Sequence, residues 1–210
     1  MTRKKAYLGV PLVVILAVLL VGLASMWTPA LASKLNGNTF TDDFSTDLTE
    51  WSTLAGGFTL VSGNLRATAL TSGAAIIVVD GNKSFQNGSI TSTINYNTAG
   101  SIMGFVARYQ SSGNYYFAGF QGNYMYVYRF RNDGVLYALD TLLVNLPTGS
   151  YSCTFSVIGR NLTFTVAENT LTIVDDSLTG FSQWGLRSTG LNNEWQNFTL
   201  AGSVQISTYP

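Results

Sequence analysis

Residues 107–134 read ARYQSSGNYYFAGFQGNYMYVYRFRNDG, and the way this stretch alternates decides the fold of the chain. Tyr124, Tyr126 and Tyr128 lie two apart, the period that puts side chains on one face of a β-strand. Met125, Val127, Arg129 and Arg131 take the other face. The two arginines favour a wet opposite side, with the tyrosines in the core and each hydroxyl partnered at the rim. The alternative puts Met125 and Val127 in the core and leaves the tyrosines as an exposed ladder. Asn132-Asp133-Gly134 closes the stretch with residues that tolerate the positive φ of a tight hairpin.

Outward from this stretch, short alternating segments recur, bounded by Gly, Asn, Asp and Ser, and no helical period appears after Ser33. Ser62-Gly63-Asn64 and Gly159-Arg160-Asn161 read as further hairpin turns. Short turns without crossover helices mean antiparallel sheets, so about 165 such residues predict an all-β, two-sheet sandwich. A domain of that size buries roughly 70% of its unfolded surface and needs no disulfide. The single cysteine, Cys153, alternates with Tyr151, Phe155 and Val157 and reads as a buried, unreactive thiol.

Alternation also assigns faces. In 101–110, Met103, Phe105, Ala107 and Tyr109 share an inward side, opposite Gly104, Val106, Arg108 and Gln110. In 182–188, Trp184 and Leu186 oppose Gln183, Gly185 and Arg187. SITSTINYN, residues 89–97, follows the same scheme, with Ile90, Ile94 and Tyr96 inward. Arg108, Gln110, Gln183 and Arg187 are therefore expected on the open side of one sheet, with Tyr116 beside them. Such a surface suits sugars: fixed donors take the hydroxyls, and flat rings cover the C–H faces. The competing reading is a structural network of Arg108 and Arg187 with nearby carboxylates.

Composition narrows the function. The chain has no histidine, which removes Ser-His-Asp and Cys-His catalysis and the common His-based zinc sites. Three of the eleven basic residues precede Ser33 and all eleven acidic ones follow it, so the remainder carries a net charge of −3. That is no footprint for nucleic acid. Arg3, Lys4 and Lys5, an apolar run from Leu12 to Ala24 and the Ala30-Leu31-Ala32 site predict a signal peptide over 1–32, hence a secreted or cell-surface protein. The alternative is an uncleaved membrane anchor over 7–27. Asn-x-Ser/Thr sequences begin at Asn82, Asn87, Asn161 and Asn197, and matter only in a host that glycosylates on export.

FTDDFSTDLTEWSTLAGGFTLVSGNLRATA, GFVARYQSSGNYYFAGFQGN and QWGLRSTGLNNEWQNFTLAG, taken in order, resemble the opening, central hairpin and closing strands of concanavalin A-like (laminin G-like) jelly-roll domains. The resemblance spans about 39–202, leaving 33–38 as linker and 203–210 as tail. It implies a jelly roll of two antiparallel sheets, preceded here by the signal or anchor helix. Lectins, carbohydrate-binding modules, adhesion domains, glucanases and lyases share that fold, so fold alone does not choose among them. The glucanase strand Glu-x-Asp-x-x-Glu is absent, and Asp175 and Asp176, as strand neighbours, point to opposite faces. Tyr116-Phe117-Ala118-Gly119 echoes a lyase strand, but the lyase histidine is missing. The resemblance also implies a calcium ion near the first and last strands, with Asp42, Asp43 and Glu194 as its oxygen donors. The expectation is a non-catalytic, lectin-like module for a polysaccharide or glycan. A self-assembling or adhesive subunit, forming a homo-oligomer, is the alternative, and an enzyme acting on polysaccharide with an unrecognised site is the second.

Overall fold

The computed structural model describes residues 35–36, 38–80, 82–110 and 113–206. The leader or anchor expected within 1–32 lies outside them. The chain first lays down β1 (Leu35–Asn36), β2 (Thr39–Asp42), β3 (Trp51–Ala55), β4 (Gly57–Val61), β5 (Asn64–Ala69) and β6 (Ala75–Val79). The long β7 (Lys83–Tyr96) follows, then β8 (Met103–Tyr109), β9 (Tyr115–Gln121), β10 (Tyr124–Phe130) and β11 (Leu136–Leu143). Last come β12 (Gly149–Ile158), β13 (Asn161–Val166), β14 (Asn169–Val174), β15 (Gln183–Ser188) and β16 (Glu194–Ile206).

Two antiparallel sheets result. The first runs β1-β2-β16-β7-β12-β13-β14, with β5 joining β16 and β4 pairing with β5. The second runs β11-β10-β9-β8-β15-β6-β3. The hairpins form where sequence places them: Ser62 and Gly63 take φ of 51° and 77°, and Gly134 and Gly159 take 77° and 60°. β16 extends to Ile206, which pairs with Lys83, so residues 203–206 of the expected tail add to their own sheet. β1 likewise lies within the expected linker.

Facing sides of the sheets enclose one core, in which Phe85, Ile90, Ile94, Phe155 and Phe164 meet Phe105, Phe120, Met125, Val127 and Trp184. Phe105 of the second sheet meets Phe164 of the first edge-to-face, ring centres 6.3 Å apart. Large side chains of this kind each contribute about 1.5–3 kcal/mol through burial. Cys153 is fully buried, and burial pushes its thiol pKa well up, as expected of an unreactive thiol.

A second apolar cluster lies on the side of the second sheet away from this core. Val78, Val106, Tyr115 and Phe117 form it, with Tyr109, Tyr128 and Phe130 packed against them. This outer face carries the candidate site.

Candidate functional site

The tyrosines of β10 correct the core assignment. Met125 pairs with Phe120 and Val127 with Ala118, all fully buried, so the alternation turns Tyr124, Tyr126 and Tyr128 outward. Of the two arginines on the inner side, Arg131 lies past the end of the strand and is exposed. Arg129 reaches the rim of the sandwich, where its Nη1 donates to Asp175 Oδ2 at 2.8 Å and to Ser177 Oγ. The tyrosine rings stack along the strand, Tyr126 on Tyr128 at 5.3 Å and 18°, Tyr124 tilted on Tyr126 at 5.9 Å. Burial, first, and then neighbouring phenols push the hydroxyls of Tyr126 and Tyr128 above the usual tyrosine range, so both stay protonated donors.

The ladder runs into a cleft of about 370 Å³ at the β9–β10 turn, lined by Gln121, Asn123, Tyr124, Tyr126, Pro147 and Thr148 among others. Its volume lies in the range of small-ligand sites. Both walls are held before any ligand arrives. On one side Gly100 donates its N–H to Tyr96 Oη at 2.9 Å and accepts Gln121 Nε2 at 2.7 Å, while Asn193 Oδ1 takes the N–H groups of Asn97 and Thr98. On the other, Leu146 N donates to Gly122 O at 2.7 Å and Tyr151 Oη to Pro147 O at 2.6 Å. Rigid walls reduce the entropy a ligand must overcome.

Of the expected open-face residues, Gln183 and Arg187 lie on the outer face. The Arg187 guanidinium lies 4.7 Å from the Phe117 ring centre and 4.9 Å from that of Phe130. Arg108 does not lie there. Gln183 faces Tyr109 and Gly185 faces Val106, so Ala107 and Arg108 together oppose Trp184 alone. This β-bulge, with Arg108 at φ 52°, turns Arg108 inward and sends the expected core residue Tyr109 to the outer face. Arg108 is 2% exposed, donating from Nε to Gln86 O, from Nη1 to Leu178 O, and from Nη2 to Asn87 Oδ1 and Gly159 O.

Tyr116 also departs from the expected open face. Ala107, Tyr116 and Arg129 share one cross-strand row, and Ala107 is inward, so Tyr116 is inward too. Its hydroxyl donates to Asp175 Oδ1 at 2.5 Å and accepts from Leu178 N at 3.0 Å; burial first, then that carboxylate, push its pKa well up. Gln110 reaches the rim instead, where it lines a separate cleft of about 320 Å³ with Asn114, Arg129, Arg131 and Ser177.

The acidic residues expected to hold calcium each have hydrogen-bond partners within the chain. Asp42 accepts from Phe44 N through Oδ1 and from Trp51 Nε1 through Oδ2 at 2.6 Å. Asp43 accepts from Ser45, and Glu194 takes Arg66, Asn64 and Asn95. Among the described residues no group of three or more Asp, Glu, Cys or His side chains is placed to hold a metal ion.

What sequence reasoning missed is the end cleft. Gln121, Asn123 and Thr148 belong to turns, and only tertiary structure brings them to the ladder. The signal available in sequence was the polar Gln121-Gly122-Asn123 turn directly before three spaced tyrosines.

No protein-family profile and no curated protein sequence matches the chain. Solved structures do match. The carbohydrate binding module CBM66 from Bacillus subtilis superposes with a TM-score of 0.57 at 16% identity, over 75% of this chain and 95% of that one. A Bacillus licheniformis β-glucanase gives 0.58 at 12% identity, over 80% and 100%. The CBM2 module of the evolved Dit of Lactobacillus casei BL23 phage J-1 gives 0.53 at 12%, over 84% and 100%. At such identities the likeness carries the fold and not the activity. The described residues are a concanavalin A-like jelly-roll β-sandwich.

Proposed function

We propose that the chain is an exported, non-catalytic carbohydrate-binding domain that takes a polysaccharide or glycan along the outer face of its second sheet. The observation that carries this reading is the Tyr124–Tyr126–Tyr128 ladder ending in a pre-formed cleft of amide, hydroxyl and aromatic groups. A sugar ring presents an apolar C–H face and a rim of hydroxyls, and this is the mixture that satisfies both. CBM66 and the phage CBM2 module, both named as binding modules, share the fold. The β-glucanase shares it too, but the Glu-x-Asp-x-x-Glu strand that the resemblance would imply for a glucanase is absent from this sequence. Asp175, beside the rim, is engaged by Tyr116 and Arg129 rather than paired with a second carboxylate.

Titration calorimetry of the full chain against a panel of soluble polysaccharides and oligosaccharides tests this. Saturable binding is expected, weakened roughly threefold to tenfold by Tyr124→Ala or Tyr126→Ala. A flat response to every glycan would sink the reading, and sugar release from the panel would replace it with an enzyme.

A second reading, self-assembly, rests on β11. This edge strand carries Leu136, Tyr137 and Leu143 at 48%, 37% and 70% exposure, with Asp140 its one charged residue. An apolar edge with so little charge offers its free backbone groups to another strand. Sedimentation velocity over a hundredfold concentration range would show oligomers abolished by Leu143→Lys if this reading holds, and a monomer throughout if it does not.

A further inference from the structure

Arg187 is the one element of the outer face that a neutral sugar does not explain. Three other arginines of the sandwich each hold a carboxylate: Arg66 with Glu194, Arg129 with Asp175, Arg131 with Asp133. The guanidinium of Arg108 is consumed by four acceptors. Arg187 has no carboxylate among the described residues, and its Nε is buried without an acceptor. The polar groups beside it are the Tyr115 and Tyr128 hydroxyls, and the Tyr115 oxygen accepts a hydrogen bond from the guanidinium.

The rest of its surroundings is aromatic. The ring centres of Phe117 and Phe130 both lie under 5 Å from the guanidinium carbon. Cation–π contacts offset part of the cost of removing a charge from water, about 1–2 kcal/mol, but they saturate none of its N–H groups. The result is a planar fork of donors, one of them engaged by the neutral Tyr115 hydroxyl, with its charge unmatched. Such a fork fits the edge of a carboxylate through two parallel hydrogen bonds.

Arg187 also lies where a bound chain would pass. Tyr126, Gly119, Gly104 and Arg187 form one row across neighbouring strands. Three strand spacings separate the ladder from Arg187 along that row, about 14 Å, a span of several sugar rings. The two residues between them are glycines, so no other side chain of that row rises between the ladder and the arginine.

Building on the glycan-binding reading, we propose that the ligand is an anionic polysaccharide of uronic-acid type, whose carboxylate pairs with Arg187 while neighbouring rings contact the tyrosine ladder. The test is calorimetry of the full chain with polygalacturonate, its carboxyl-reduced product and a neutral β-glucan. Polygalacturonate binds, binding weakens as salt is raised, and the carboxyl-reduced polymer binds roughly tenfold to a hundredfold more weakly. Arg187→Gln removes the difference between the two polymers, while Arg187→Lys retains part of it. Comparing the polymers on the unaltered protein keeps the test valid if Arg187→Gln fails to fold. Equal affinity for both polymers, or a preference that survives Arg187→Gln, overturns the anionic class and leaves the glycan-binding reading standing. No binding to any of the three polymers overturns this proposal, and the glycan-binding reading falls only if the wider panel is silent too.

Discussion

At the residue scale, two polar groups, Arg108 buried and Asp175 half-buried, set stability at the rim. Arg108 binds four acceptors that come from β7, the β12–β13 turn and the segment leading to β15. Arg108→Met keeps most of the volume and strips all four of their donor. Because each buried acceptor left unpaired costs about 1–3 kcal/mol, the variant is expected to lose roughly 3 kcal/mol or more, and its Tm to fall by about 6–12 °C. Thermal melting checks this; an unchanged Tm would mean water replaces the guanidinium. Asp175 gives a pH signature. Burial pushes its carboxyl pKa up, but hydrogen bonds from Tyr116 and Ser177 and the charge of Arg129 outweigh burial and hold it below the usual value. A depressed native pKa adds stability that is fully present above the unfolded value of about 4 and is lost as pH falls through the native one. Asp175→Asn should therefore flatten the fall of Tm below about pH 4. A fall as steep as in the unaltered protein would place the acid sensitivity elsewhere.

At the element scale, the outer face depends on glycines as much as on rings. A Cβ on Gly104 would lie 2.0 Å from the carbonyl oxygen of Ala118 in the neighbouring strand, which cannot retreat without breaking the ladder of hydrogen bonds. Gly134 has the same chemistry but open space around it, and only its positive φ resists a side chain. Gly104→Ala is expected to cost about 3 kcal/mol, against about 1 kcal/mol for Gly134→Ala. Urea denaturation of the two variants compares them directly, and equal losses would contradict the register assigned to β8. The same strand shows where alternation stops being legible. Period two placed Ile90, Ile94, Phe105, Trp184 and Leu186 correctly, because packing on a sheet is local. It misplaced Arg108 and Tyr109, because a bulge adds a residue without leaving a mark in the hydrophobic pattern. It misjudged the β10 tyrosines because the partner that makes the Arg129 side dry, Asp175, lies 46 residues further along the chain.

At the scale of the whole molecule, the chain closes on itself: its last strand is not an edge but the centre of the first sheet. β16 pairs with β2 on one side and with β7 on the other, and its start also pairs with β5. It carries Trp195, Phe198 and Leu200, all buried, into the core, where Trp51 meets Phe198 edge-to-face at 4.9 Å. Without it, β2 and β5 have no sheet to join, and the inner face of β7 loses a flank. The lone, buried Cys153 provides no covalent alternative. Contacts this distant in sequence form late and make β-sandwiches slow folders, so completion of the sheet waits for the C-terminal segment. A chain ending at Asn193 is therefore expected to show no cooperative thermal transition. One ending at Gly202 loses only the pairing of Val204, Gln205 and Ile206 with β7, and should fold with a modestly lowered Tm. Circular dichroism melts of both against the full chain decide the matter. A cooperative transition in the shorter chain would show that the second sheet, with its outer-face site, holds together without the strand that closes the first.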